Sequence, residues 1–149
     1  MKVVEIRRHS IRGSDDTLSE EGRQLARKAG STLEGRYLHC YTSPKKRAMQ
    51  TLEEFGYTTF KVDERFGPLP GEKIKPFEDR AKKIAENRKL SLLEAFFEVR
   101  ELHTILDEKG RELIEAAKQV CRELPDDGRA LVVSHGGAIE PAAILALGK

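Results

Sequence analysis

Three stretches of this chain carry side chains that can bind and transfer an anionic group. Arg8-His9-Ser10 follows a β-branched run, Arg47 comes shortly after Ser43-Pro44, and His135 sits in Ser134-His135-Gly136-Gly137. A neutral imidazole is a good nucleophile near neutral pH, whereas a serine needs a separate base. A guanidinium is a planar, two-pronged clamp for phosphate. Paired glycines let the backbone come close to a ligand. Together these types suggest phosphoryl transfer, which depends on in-line positioning and charge neutralisation. Arg8, Arg47 and His135 can supply that charge, so the chemistry requires no metal and no cofactor. The leaving oxygen needs a proton, which a carboxyl kept protonated in a dry cleft can give. Asp15, Asp16 and Glu72 are candidates for it. Each stretch also has a plainer reading. Arg7 to His9 can be a solvated basic loop, and Lys45-Lys46-Arg47 a surface run, although that suits the lysines better than Arg47.

The elements that must position these residues can be read from the apolar pattern. Val3, Val4 and Ile6 predict a buried strand whose run breaks into Arg7, Arg8, His9 and Ser10. Thr17 or Ser19 caps a helix with Leu18, Leu25, Ala29 and Leu33 inward and Gly30 or Gly35 at its end. Residues 37–41 read as a second strand. Ser43-Pro44 then opens a helix with Ala48, Leu52 and Phe55 buried, which places Arg47 near its N-terminus, where an anion is favoured. Residues 58–62 alternate like a third strand, and 74–106 are helical, with a capping box at Ser91 and Glu94. His103 and His39 read as buried structural histidines. A helix over 107–124 precedes an apolar strand at 130–133 and a last helix from 138. The strand–helix alternation predicts an α/β fold, a three-layer sandwich with a mostly parallel central sheet, in one domain over 1–149. Ligands in such sheets sit beyond the strand carboxyl ends, where Arg8-His9, Arg47 and His135 all fall. A set of unrelated surface groups would not share that placement.

The pieces R-H-S at 8–10, L-S-E-E-G at 18–22, S-P-K-K-R-A-M-Q-T at 43–51, D-E-R-F-G at 63–67 and S-H-G-G at 134–137 span nearly the whole chain. In this order they resemble the histidine phosphatase superfamily, which includes the cofactor-dependent phosphoglycerate mutases and the phosphohistidine phosphatases. The resemblance implies a phosphoglycerate mutase-like fold and a phosphohistidine intermediate on His9. Arg8, Arg47 and His135 would hold the phosphoryl oxygens, and Glu64 would match the proton donor. The usual motif has Gly after the His, where this chain has Ser10, whose side chain could narrow the pocket or donate a hydrogen bond to phosphate. Gly136 would line the same site. The implied partner is a phosphorylated small molecule or a phosphohistidine protein.

Composition narrows the alternatives. With 149 residues, 38% hydrophobic and 35% charged, the chain suits a soluble domain with one core. A net charge of +2 with no aromatics interleaved in a basic run argues against nucleic acid. No apolar run reaches membrane length and no signal-peptide core is seen, so a cytoplasmic location is expected. Cys40 and Cys121 give neither a disulfide framework nor a metal-ligand pair. A cysteine-phosphatase loop at Cys40 fails because the position that needs Arg is Lys46. A mutase resembles a longer chain with extra pocket-closing segments, and a non-catalytic phosphate-binding module rests on Ser10 alone. Substrate specificity should lie in 66–103, where nothing specific is recognised.

Overall fold

The β-branched run at the start of the chain forms strand β1, Val3–Arg8, in the computed structural model, which describes residues 1–33 and 35–148. Helix α1 is Glu20–Ser31, strand β2 His39–Thr42, helix α2 Lys46–Glu54 and strand β3 Lys61–Val62. The one-turn helix α3, Gly71–Ile74, leads to α4, Glu78–Arg88, α5, Leu92–Glu98, and α6, His103–Glu123. Strand β4, Arg129–Ser134, and helix α7, Ile139–Leu147, complete the order. The chain packs as two compact units, Met1–Gly67 with Glu115–His135 and Pro68–Ile114 with Gly136–Lys149.

The first unit holds a four-stranded sheet of order β1-β4-β2-β3, and every described pair is parallel. All but the first residue of β4 are buried, as expected of a central strand covered on both faces. Side chains alternate across a strand, and β4 shows both outcomes. Leu131 and Val133 pack with Cys40, Ala48 and Leu52 under α2. On the opposite face, Tyr41 meets the Phe66 ring edge-on at 6.2 Å and lies beside Glu123 of α6. Helices therefore cover both faces, giving the three-layer α/β arrangement expected.

Several local expectations change for physical reasons. Strand β3 is two residues long, because only Lys61 and Val62 find partners on β2. Leu25 is 45% exposed, and α1 turns Gly22 and Ala26 inward instead. Gly30 does not end α1. Its bare Cα lets the Phe55 backbone approach, since a Cβ there would lie 2.7 Å from the Phe55 Cα. His39 and His103 are exposed, not buried. His39 opens β2 at the sheet rim, and His103 opens α6, where its Nε2 donates to the Phe97 carbonyl at 2.6 Å. Helix α6 thus begins at 103 rather than 107, led in by a 3₁₀ turn at Arg100–Leu102.

In the second unit the Ser91–Glu94 capping box forms as expected, although Leu92 is exposed. Ile74, Ala81, Ala95, Val99, Leu102 and Leu106 make the core there. Among the described residues no helix is long and apolar enough to cross a membrane.

Candidate active site

The parallel ladder carries the site residues to one edge of the sheet. Arg8 pairs with Ser134 and Thr42 with Val133, so the carboxyl ends of β1, β4 and β2 are in step. The ladder runs one residue further. His9 N–H donates to the Ser134 carbonyl at 3.0 Å, and Ser43 N–H to the Val133 carbonyl at 3.2 Å. His9, His135 and Ser43 therefore leave three neighbouring strands side by side.

The two imidazoles lie 5.0 Å apart between ring centroids, inclined at 61°. His9 Nδ1 lies 2.7 Å from the Ser10 carbonyl, which can only accept, so Nδ1 carries the proton. Its Nε2 then presents a lone pair, and Arg47 Nε–H donates to that nitrogen at 3.2 Å. Burial, with the charges of Arg47 and Arg8, pushes the His9 pKa below its ordinary value, against the Ser10 carbonyl and Asp16, which favour the cation. At neutral pH the imidazole is held neutral and its Nε2 is nucleophilic. His135 is 2% exposed, and its Nε2 lies 2.6 Å from Ser43 Oγ. That hydroxyl also accepts from Lys45 N–H at 3.1 Å.

Arg47 stands in the first turn of α2, held between two groups. Its Nε reaches His9, and its Nη1 pairs with the Asp16 carboxylate. Burial works to raise the Asp16 pKa. Hydrogen bonds from Lys46 N–H and Arg47, with the Arg47 and Lys45 charges, bring it below the usual carboxylate value. Asp16 is thus ionised at neutral pH and unsuited to donate a proton. Thr51, one turn further along α2, donates to the Arg47 carbonyl at 2.8 Å and accepts Ser10 N–H at 2.9 Å.

The remaining expected site residues lie as follows. Ser10 Oγ donates to the Gly22 carbonyl of α1 at 2.7 Å, so its hydroxyl is committed to packing. Arg8 is exposed at the end of β1. Glu64 is exposed in the 3₁₀ turn Glu64–Phe66, just past β3 on the same sheet edge. That turn is pinned to β4 by Ser134 Oγ, which donates to the Phe66 carbonyl at 2.7 Å. Gly136 is half-buried in the turn before α7. The following Gly137 N–H is taken by the Glu140 carboxylate at 2.8 Å rather than left for a ligand. Ser43-Pro44 predicts a helix cap at Ser43, yet α2 begins only at Lys46 and the hydroxyl meets His135. Its role had no local signature, and neither did the Asp16–Arg47 pair.

The sequence model of the histidine phosphatase superfamily (branch 1) matches residues 5–149. The chain belongs to that superfamily. Its fold is similar to that of Bacillus stearothermophilus YhfR, with a TM-score of 0.71 at 20% identity over 100% of this chain and 81% of that one. It is also similar to a mutant phosphoserine phosphatase from Entamoeba histolytica in complex with phosphoserine. There the TM-score is 0.63 at 17% identity, over 99% of this chain and 81% of that one. A mycobacterial glucosyl-3-phosphoglycerate phosphatase with bound VO3 gives a TM-score of 0.63 at 19% identity, over 96% and 80% of the two chains. Among curated proteins, none is similar enough to match the chain. This histidine phosphatase fold thus carries its paired histidines and Arg47 at the carboxyl edge of a parallel sheet.

Proposed function

We propose that this histidine phosphatase superfamily member is a metal-free phosphatase that hydrolyses a phosphate monoester or a phosphohistidine through a phosphohistidine on His9. The observation that carries the reading is the Arg47 Nε–H at 3.2 Å from His9 Nε2, with Nδ1 protonated against the Ser10 carbonyl. It aims a neutral nucleophile and a guanidinium at one point. In the first step the Nε2 lone pair forms a bond to phosphorus as the bond to the leaving oxygen breaks. Arg8, Arg47 and His135 balance the charge of the transferring group, and the Glu64 carboxyl protonates the leaving oxygen. In the second step water attacks phosphorus, the Glu64 carboxylate takes its proton, and the P–N electron pair returns to Nε2. A phosphorylated small molecule is the substrate class we favour, since the Entamoeba histolytica phosphatase of this fold binds phosphoserine.

Quenching the protein with a radiolabelled aryl phosphate tests this reading. The expected label is acid-labile and alkali-stable and maps to His9. His9→Ala should abolish turnover while still binding phosphate, and His135→Ala should leave a slow enzyme that still takes the label. Label on Ser10, Cys40 or His135, or an active His9→Ala protein, would overturn it.

A further inference from the structure

Helix α2 starts without a cap of its own. Its N-cap residue, Lys45, makes no side-chain hydrogen bond to the first turn, and the first N–H groups of a helix need an outside acceptor. Asp16 supplies one from the loop after β1, its Oδ2 accepting from Lys46 N–H at 2.9 Å. The other oxygen, Oδ1, pairs with Arg47 Nη1. One carboxylate therefore fixes both the start of the helix and the guanidinium that rises from its first turn.

The loop that delivers Asp16 is built for this reach. Asp15 and Asp16 both adopt left-handed backbone, with φ of 51° and 63°. Such conformations are costly for a residue with a Cβ and persist where the surroundings hold them. Here Gly13 N–H donates to the Thr17 carbonyl at 2.7 Å, and Thr17 N–H to the Ser14 carbonyl at 3.0 Å. Leu18 N–H is tied to Gln50 Oε1 of α2 at 2.8 Å. The loop is fastened to the same helix whose arginine it holds.

A guanidinium is a rigid plane on which Nε–H and one Nη2 N–H point along the same edge, and Nη1 lies on another. With Nη1 taken by Asp16, the Nε–Nη2 edge is the one facing His9, as the Nε contact to His9 Nε2 shows. That edge can meet two oxygens of a phosphoryl group arriving at Nε2. We infer that Asp16 is a positioning residue that holds Arg47 so that this edge faces the phosphoryl group, an assignment that rests on the phosphatase reading above. Asp16 makes its hydrogen bonds to Arg47 and to Lys46 N–H, and its direct influence on His9 is a lesser charge effect that favours the cation. The opposite role, a carboxylate that competes with phosphate for Arg47, would leave the Nε–Nη2 edge no better aimed.

A double-mutant cycle tests the assignment on the full-length protein. The four proteins are wild type, Asp16→Asn, Arg47→Lys and the double variant. Asn retains an oxygen for Lys46 N–H but loses the charge that holds Arg47, so the helix start is preserved. Asp16→Asn should lower kcat/KM for an aryl phosphate about ten-fold in the wild type, and less than about two-fold beside Arg47→Lys, because contacting groups couple. Asp16→Glu should recover part of the loss. The same cycle is run on the affinity for inorganic phosphate by calorimetry, where the same coupling is expected. Equal factors in both backgrounds, or a rise in phosphate affinity or in kcat/KM with Asp16→Asn, would overturn the assignment. A wild type that binds phosphate without turning over would sink the phosphatase reading alone, and the coupling in phosphate affinity would still decide Asp16.

Discussion

A histidine attacks phosphorus through a nitrogen that carries no proton, so the tautomer of His9 decides its chemistry. The Ser10 carbonyl fixes the proton on Nδ1, and a carbonyl of the next residue is a partner that the fold cannot easily withdraw. Burial and the charges of Arg47 and Arg8 then hold the ring below its ordinary pKa of 6.5. Since attack requires the neutral ring, kcat/KM should stay flat as pH falls through 7 and drop only below 6.5, on an acid limb of slope one. A pH–rate profile checked against an NMR titration of His9 measures this, and a limb above 6.5 would contradict it. The linked stability has a definite sign. The unfolded chain binds this proton more tightly than the folded one, so the share of stability due to His9 is complete above 6.5 and is lost as pH falls through its folded value. His135 is fixed differently, by the Ser43 hydroxyl at 2.6 Å in a buried setting. Ser43→Ala removes that partner, which should cost about 1–3 kcal/mol by denaturant titration and lower kcat with the ring no longer oriented.

Between the residues and the sheet lies a small assembly of α1, α2 and the loop after β1. Gly22 is its tightest point, since a Cβ there would stand 2.2 Å from the Ile11 carbonyl oxygen and 3.1 Å from the Ile11 nitrogen. That absence of a side chain lets α1 settle onto residue 11, and the Gly22 carbonyl accepts the Ser10 hydroxyl. Ser10 N–H in turn ends on Thr51 of α2. The last two connections hold Ser10, the residue after His9, from both helices. Gly22→Ala must push α1 away from backbone that cannot swing aside, so a loss of about 1–3 kcal/mol is expected, with turnover falling as Ser10 shifts. Gly71→Ala is the control, because nothing lies within 4 Å of its added Cβ. Denaturant midpoints for the two variants check the contrast, and equal stabilities would refute the packing role of Gly22. Nothing in the L-S-E-E-G segment itself marks its Gly for this contact. The close approach it permits is to a residue in another element.

At the scale of the whole chain, what was legible in the sequence is what periodicity and strand termini encode. Apolar runs at 3–6 and 130–133 announced β1 and β4, and the residues that follow them, His9 and His135, do come together. What was not legible depends on contacts distant in sequence. Ser43 meets His135 across 92 residues, Asp16 meets Arg47 across 31, and neither pairing leaves a local pattern. His103 shares an apolar stripe in sequence and His39 lies inside a predicted strand, but both fall at element ends, where they are exposed. Charge is likewise a matter of placement. With 27 Lys and Arg against 25 Asp and Glu, the chain is nearly balanced, yet Arg8 and Arg47 gather beside His9. The carboxylate that touches this cluster, Asp16, is already paired with Arg47 and bonded to Lys46 N–H. Among the described residues no three His, Cys, Asp or Glu side chains group so as to hold a metal ion. In the proposed reaction the guanidinium groups would supply the neutralisation that a Lewis acid brings to a transferring phosphoryl group. Turnover of an aryl phosphate should therefore be the same, within about two-fold, before and after dialysis against a chelator, and added magnesium or zinc should not raise it. Activity lost to the chelator and restored by one of these ions would show that the arginines do not suffice, and the charge assignment at His9 would have to be redrawn around a metal.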